Sequence, residues 1–314
     1  MSYPYLGDLI NPVFGVQWYV PIPMFGMFVA VSIIVAIYIA KKETARLEDL
    51  GILPKVKVAL KGNSKPNYIQ AHEIIADLGV VTVLFGIVGA RLFHILEYPG
   101  QFLNDPISMI FSQGGFTIYG GLLLGVIAGV IYLRKRDVPI IPMLDALSPS
   151  LILGYGIGRI GCQISGDGDW GITSNMSLKP SWLPDWLWAQ TYENNIVGAV
   201  IQFPGVYPTP LYETFIALCI FLILWVLRKH QNKAGFLFSC YLLLSGLERL
   251  WIEKIRININ YHFFGLEFTQ AEFISMVVVI IGLIGILKTT TSKRIPKIVF
   301  SVALLGVLSA CVML

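Results

Sequence analysis

Residues 20–40, VPIPMFGMFVAVSIIVAIYIA, contain no Asp, Glu, Lys or Arg. About 20 such residues wound into a helix cross the roughly 30 Å of bilayer hydrocarbon. In lipid every backbone polar group must be satisfied within the fold, so a run of this kind spans as a helix. Comparable runs recur at 74–96, 116–133, 140–163, 211–227, 235–252, 271–287 and 298–314, the last being short. Only 13% of the residues are charged, against about 25% in soluble domains. The reading is an all-α polytopic membrane protein formed as a single membrane domain, 1–314. It has seven core transmembrane helices, an eighth at the C-terminus (298–314) and a small extracytoplasmic head segment at 164–207. The N-terminus lacks a basic stretch and a small-residue cleavage site, so no removed signal peptide is expected.

Lys and Arg set the expected orientation, because cytoplasmic loops carry them in excess. Seven lie in 41–66, three in 134–136, three in 228–233, and four more at Lys288, Lys293, Arg294 and Lys297. These regions alternate with the spans and hold 17 of the 23 basic residues, which puts them in the cytoplasm and both termini outside. Segment 41–66 reads as a surface linker with one short helix. The net charge of +4 follows from this topology and from anionic lipid, and nucleic acid is excluded as a partner. The four cysteines, Cys162, Cys219, Cys240 and Cys311, sit in or beside apolar spans without metal-ligand spacing. They read as small buried hydrophobes, and no metal or cofactor is expected. Trp182, Trp186 and Trp188 read as an interfacial aromatic belt.

Six basic residues remain: Arg91, Arg159, Lys179, Arg249, Lys254 and Arg256. Arg91, Arg159 and Arg249 lie toward the outer ends of the second, fourth and sixth spans, where an arginine near mid-bilayer costs about 2.5–3.5 kcal/mol. Asp77, Asp145, Glu97 and Glu253 could offset them. Arg249, Glu253 and Arg256 fall at i, i+4 and i+7 on one helix face, which leaves one positive charge over. Interhelical ion pairs account for any single arginine. Surplus charge on three of them at one depth points instead to an outward cavity that grips a lipid phosphate, since guanidinium binds phosphate bidentately. The glycine runs GIVGAR (86–91), YGGLLLG (119–125) and GYGIGRIG (154–161) allow close helix packing, and the first and third run into an arginine.

The stretch GRIGCQISGDGDWG (158–171) resembles the signature of the prolipoprotein diacylglyceryl transferase family, approximately G-R-[IL]-G-N-F-[IL]-N-G-E-x-W-G. WY at 18–19, GARLFHILEY at 89–98, GGFTIYGGLLLG at 114–125, YPTPLYE at 207–213 and ERLWIEKIR at 248–256 resemble family stretches in the same order. The resemblance covers about 12–287. It implies an enzyme of the bacterial cytoplasmic (inner) membrane, its active site toward the outer leaflet. That enzyme moves the diacylglyceryl group of phosphatidylglycerol onto the lipobox cysteine thiol of a prolipoprotein signal peptide and releases glycerol phosphate. Carried over, Arg159 and Arg249 are the family's key arginines. Glu253, Tyr19 and Tyr119 join them as catalytic candidates. Arg256, Arg91, Cys162, Ser165, Gly166, Gly171, Gly120 and Gly121 are expected to bind substrate.

The chain departs from the family pattern at several of these positions. Tyr119 stands where H-G-G has its histidine, Cys162 and Ser165 replace the two signature asparagines, Tyr207 replaces the histidine of H-P, and Asp167–Gly168–Asp169 replaces the shorter acidic segment. A phenol is a poorer proton acceptor than imidazole, so the proton route is expected to differ. Asp167 and Asp169 read first as turn and cap residues, with a direct role as the alternative. Asp145 reads as an arginine partner or as a solvated residue near the cytoplasmic face, and His94 is the one histidine near a candidate arginine. The 297–311 segment has a lipobox-like pattern ending at Cys311, read as coincidence. The alternative to the transferase is a non-catalytic or re-specialised lipid or signal-peptide binder. A transporter would need functional charges in the inner half of the spans, and that half is apolar apart from Asp77 and Asp145.

Overall fold

Helices form over the apolar runs, and polar punctuation sets their ends. The computed structural model describes residues 2–58, 67–111, 117–230, 233–258, 260–263 and 266–290. Its helices are α1 (Leu6–Phe14), α2 (Met24–Asp49), α3 (Ile75–Glu97), α4 (Pro99–Asn104), α5 (Pro106–Phe111), α6 (Ile118–Arg134), α7 (Ile140–Ser165), α8 (Thr209–Leu227), α9 (Phe236–Glu253) and α10 (Gln270–Thr289). Two antiparallel hairpins accompany them, β1 (Val56–Val58) with β2 (Asn67–Ile69), and β3 (Asn260–Phe263) with β4 (Leu266–Thr269). Among the described helices, α2, α7, α8, α10 and α3 with its preceding turn are long and apolar enough to cross a membrane. The apolar α6 has 17 residues, and α9 carries Glu248, Arg249 and Glu253 near its end. The expected helix at 298–314, with Cys311, lies outside the described residues, as do residues 114–116 of the third quoted stretch.

The expected linker at 41–66 is corrected over its first part. The first helix continues to Asp49 because KKETARLED is built of good helix formers, with Arg46 paired to the buried Glu43 at 2.6 Å, one turn apart. The short helices α4 and α5 were not anticipated; each opens on a proline whose fixed φ suits a first turn.

By its contacts the chain divides into two units, Ile37–Ala146, and Met1–Ala36 with Leu147–Leu314. In the first, Glu48 accepts from the backbone N–H of Ala71 and lies 2.6 Å from His72 Nδ1, tying the end of α2 to the turn before α3. α3 and α6 pack along a glycine seam. A Cβ on Gly89 would overlap the carbonyl oxygen of Gly120, and one on Gly120 would overlap Gly89 and Phe93. Gly121 abuts Gly86 and Ala90. Gly120 and Gly121 therefore let the backbones of α3 and α6 approach closely. Asp145 is 1% exposed, so the solvated reading of this residue falls. His94 packs its ring against Tyr98.

In the second unit α7, α8, α9 and α10 bury a core that includes Ile152, Ala217, Leu224, Leu237, Leu243 and Val279. α10 starts on a capping box in which Thr269 and Glu272 satisfy each other's backbone N–H groups. The head segment between α7 and α8 has a small core of its own, Trp170, Tyr192 and Val206. It is stitched by main-chain bonds from Tyr207 N to Ile172 O and between Gln190 and Val206. Trp182 and Trp186 are exposed, as interfacial side chains would be. Trp188 instead donates to the carbonyl of Asn175 and sets its ring edge-on to Tyr207, a structural role within the head.

Candidate active site

Four elements of this second unit bring charge to one place. Arg159 lies near the end of α7, Arg249 near the end of α9, and Arg256 just beyond α9. Glu213, in the second turn of α8, is the only charged residue of that helix and is 0% exposed. Its Oε2 lies 3.2 Å from Arg159 Nε, and its Oε1 lies 3.5 Å from Nη1 of both Arg249 and Arg256. Asp169, in the head segment, pairs with Arg159 Nη1 and accepts from Arg256 Nη2 at 2.7 Å. The chain of contacts Arg159, Asp169, Arg256, Glu213 and back to Arg159 closes into a ring. Arg249 joins it through Glu213 and holds Glu253 Oε2 at 2.9 Å.

Local structure explains each placement. The Asp169 N–H bonds Asp167 Oδ1 at 3.2 Å, and its carbonyl accepts from Thr209 Oγ1 at 2.6 Å, which fixes the turn on the start of α8. Asp167 therefore turns the chain as expected, whereas Asp169 pairs with two arginines and caps nothing. Glu253 Oε1 accepts from Thr269 Oγ1 at 2.6 Å and Asn258 Nδ2 at 2.5 Å. Gly171 bridges Arg256 antiparallel; its N–H bonds Tyr207 O, and Ile172 N–H bonds Ile255 O at 2.8 Å. A Cβ on Gly171 would overlap that same Ile255 oxygen, so only glycine lets the head lie this close to Arg256.

The expected surplus of positive charge is corrected. Three guanidiniums meet three carboxylates, Asp169, Glu213 and Glu253. Burial makes this necessary, because an uncompensated charge out of water costs several kcal/mol. The arginine side chains keep 15%, 27% and 13% of their surface exposed for Arg159, Arg249 and Arg256. Arg159 Nη2 takes part in none of these ion pairs. Outside the spans, burial works against the charge on Asp169, but Arg159 and Arg256 prevail and hold its carboxyl below the usual carboxylate range. Burial pushes the Asp167 carboxyl up. Burial also opposes the charge on Arg256, and Asp169 and then Glu213 more than restore it.

Of the other expected site residues, Cys162 lies beside the ring. Cys162 is buried with Sγ 3.7 Å from Arg159 Nη1, against the ring. Cys162, Asp167 and Asp169 bring ligand atoms within 4.8 Å of one another, as a cation could use; Arg159 already contacts two of the three, and its charge opposes a cation there. Ser165 is 0% exposed, and Gly166 lies against Asn195 and Ser2. Ser165 ends α7 with its hydroxyl donating to the Cys162 carbonyl. Tyr19 is 91% exposed, so it does not pack on the buried ring. Tyr207 accepts from Asn175 N–H through its hydroxyl, inside the head. Tyr119 and Arg91 belong to the other unit, where Arg91 Nη1 donates to the Met109 carbonyl.

The sequence reading missed three residues. Glu213 sat unremarked inside YPTPLYE, although a lone acid in an apolar helix is a signal in itself. Tyr155 donates its hydroxyl toward Glu213 Oε1 at 3.0 Å and Glu248 Oε1 at 3.2 Å, under the Arg159 guanidinium at 5.1 Å from its ring.

Three partly exposed guanidiniums gathered from α7 and the end of α9 are groups of the kind that bind phosphate oxygens. The profile of the prolipoprotein diacylglyceryl transferase family matches residues 12–288. A phosphatidylglycerol–prolipoprotein diacylglyceryl transferase of Oceanobacillus iheyensis is 28% identical over 286 residues, covering 89% of this chain and 87% of that protein. Proteins of the same name from Clostridium tetani and Leptospira interrogans are 31% identical over 235 residues and 27% identical over 325. The first alignment covers 74% of this chain and 87% of the relative, the second 93% and 96%.

Proposed function

The chain belongs to the prolipoprotein diacylglyceryl transferase family, and on that premise we propose that it transfers the diacylglyceryl group of phosphatidylglycerol to the lipobox cysteine of a prolipoprotein. The observation that carries this reading is the ring of Arg159, Asp169, Arg256 and Glu213, with Arg249 attached. The lipid phosphate binds to the guanidiniums of Arg159 and Arg249. The cysteine sulfur attacks the glyceryl carbon, the C–O bond to phosphate breaks, and glycerol phosphate leaves. Negative charge grows on the phosphate as that bond breaks, and preorganised guanidiniums in a low-dielectric site stabilise it without reorganising. Glu253 orients Arg249, and Arg256 keeps Asp169 and Glu213 in place. Seven helices form the membrane domain, with the site facing the outer leaflet of the bacterial inner membrane.

The test uses purified protein, labelled phosphatidylglycerol and a lipobox peptide. Thioether product from the parent, and none from Arg159→Ala or Arg249→Ala while both still insert, supports the reading. Full activity in both variants overturns it. Peptide and lipid binding without any thioether, in the parent itself, would favour the re-specialised binder that the departures at Tyr119 and Cys162 suggest.

A further inference from the structure

Glu248 lies beside the ring, and the transfer chemistry above does not use it. It is 6% exposed, and among the described residues it makes no ion pair within 4.0 Å. Its partner is the Tyr155 hydroxyl, which also faces Glu213. A phenol has one proton to donate. If both carboxylates were ionised, one of these contacts would set a buried oxygen against an acceptor with no proton between them, an arrangement that costs the full desolvation of the group. One proton more settles both contacts: Glu248 donates to the Tyr155 oxygen, and Tyr155 donates to Glu213, which faces three guanidiniums.

We infer that Glu248 stores a proton and that Tyr155 relays it to Glu213, beside the arginines that hold the phosphate. The inference rests on the proposed transfer reaction and supplies its missing proton route. As the C–O bond breaks, the stored proton passes through Tyr155 and Glu213 to an oxygen of the leaving phosphate. The cysteine thiol gives its proton to Glu213 as the S–C bond forms, and Tyr155 passes a proton back to Glu248. Atoms and charge balance: the thiol proton ends on glycerol phosphate, and the protein returns to its starting state. A chain with Tyr119 in place of a histidine thereby keeps an acid–base partner for the reaction. Glu248 acts through Tyr155 and is a positioning and storage group; it does not itself touch the reactants.

The groups that face Glu248 are Tyr155 and Arg159 from α7, Glu213 from α8, and Arg249 and Tyr241 on α9 itself. The α10 side of α9 presents Ser275 and Val279 at Gly246, neither of which titrates. The experiment has two readouts on the full chain in detergent or vesicles. Infrared spectra in H₂O and D₂O should show a protonated carboxyl band in the parent that is absent from Glu248→Gln, whether or not the protein turns over. In the lipidation assay Glu248→Gln and Tyr155→Phe should lower kcat about 100-fold, in the range of a lost acid–base group, with KM for lipid unchanged. Both should flatten the pH–rate profile, and Glu248→Asp should recover part of the rate. A parent spectrum without the band overturns the inference, and so do variants with parental kcat and pH profile. A parent that shows the band yet forms no thioether upholds the stored proton and overturns the transfer reading and the relay's catalytic use.

Discussion

Asp169 and Arg256 stand 87 residues apart in sequence and meet at 2.7 Å, and this contact closes the ring that organises the site. Each residue comes from an irregular segment just beyond a helix end, and each is held by main-chain bonds on its flanks. The ring is therefore a product of how the head segment lies against the end of α9, and predictions about it test that placement.

Glu213→Gln keeps the volume of the side chain and removes its charge, leaving three guanidiniums to share Asp169 and Glu253. Breaking a buried ion pair on one side costs about 3–5 kcal/mol. A clear fall in melting temperature in detergent is expected, together with loss of thioether product. A variant that melts with the parent would show that Glu213 does not hold the arginines.

Arg249 spans two carboxylates with its fork, Glu213 through Nη1 and Glu253 through Nη2. Lysine places one point charge and cannot bridge both. Arg249→Lys should lower kcat by about 10²–10³-fold, the loss typical of one preorganised donor, with little change in melting temperature. Steady-state kinetics on the lipobox peptide check it.

Gly171→Ala introduces a Cβ into the carbonyl of Ile255, beside Arg256. Overpacking of this kind costs about 1–3 kcal/mol and pushes Arg256 off Asp169. Lowered stability and lost activity should appear together, and Gly26→Ala, where an added Cβ meets nothing within 4 Å, should reproduce neither.

The two acids of the head should respond oppositely to pH. Asp169 is held below its unfolded value, so its contribution is present when both states are ionised and drains away as pH falls through the folded-state value. Asp167 is raised, so its contribution is present in acid and is lost as pH rises through its folded-state value. Melting temperatures measured from neutral pH down to about pH 3, below the ordinary carboxylate range, should fall for the parent and fall less for Asp169→Asn. At neutral pH, Asp167→Asn should match or exceed the parent.

Much of the frame was legible in the chain because lipid leaves so few options. Apolar runs free of charge located the helices, and arginines where membranes exclude them pointed to the site. The register of the two glycine runs also announced close packing, although it did not say that α3 and α6 would be the pair. Glu253 was legible, named among the acids and paired with Arg249, but the other two acids that answer the arginines were not. Asp77 and Glu97 looked available by depth, whereas the partners came from Glu213, on a helix with no other charge, and from Asp169, in a loop whose composition read only as a turn. Pairing across 87 residues depends on where a loop lies, and no local periodicity encodes that. The fate of Ser165 and Gly166 was hidden for the same reason, since only the folded head shows Asn195 and Ser2 filling the space beside them.

The main-chain pairing of Ile172 with Tyr207 draws the neck of the head closed, like a drawstring, below the loops that carry Trp182 and Phe203. Gln163 and Tyr212 tie the same loops to α7 and α8 through Gln190, Tyr192 and Leu187, so a change high in the head has a direct route to the helices that carry Arg159 and Glu213.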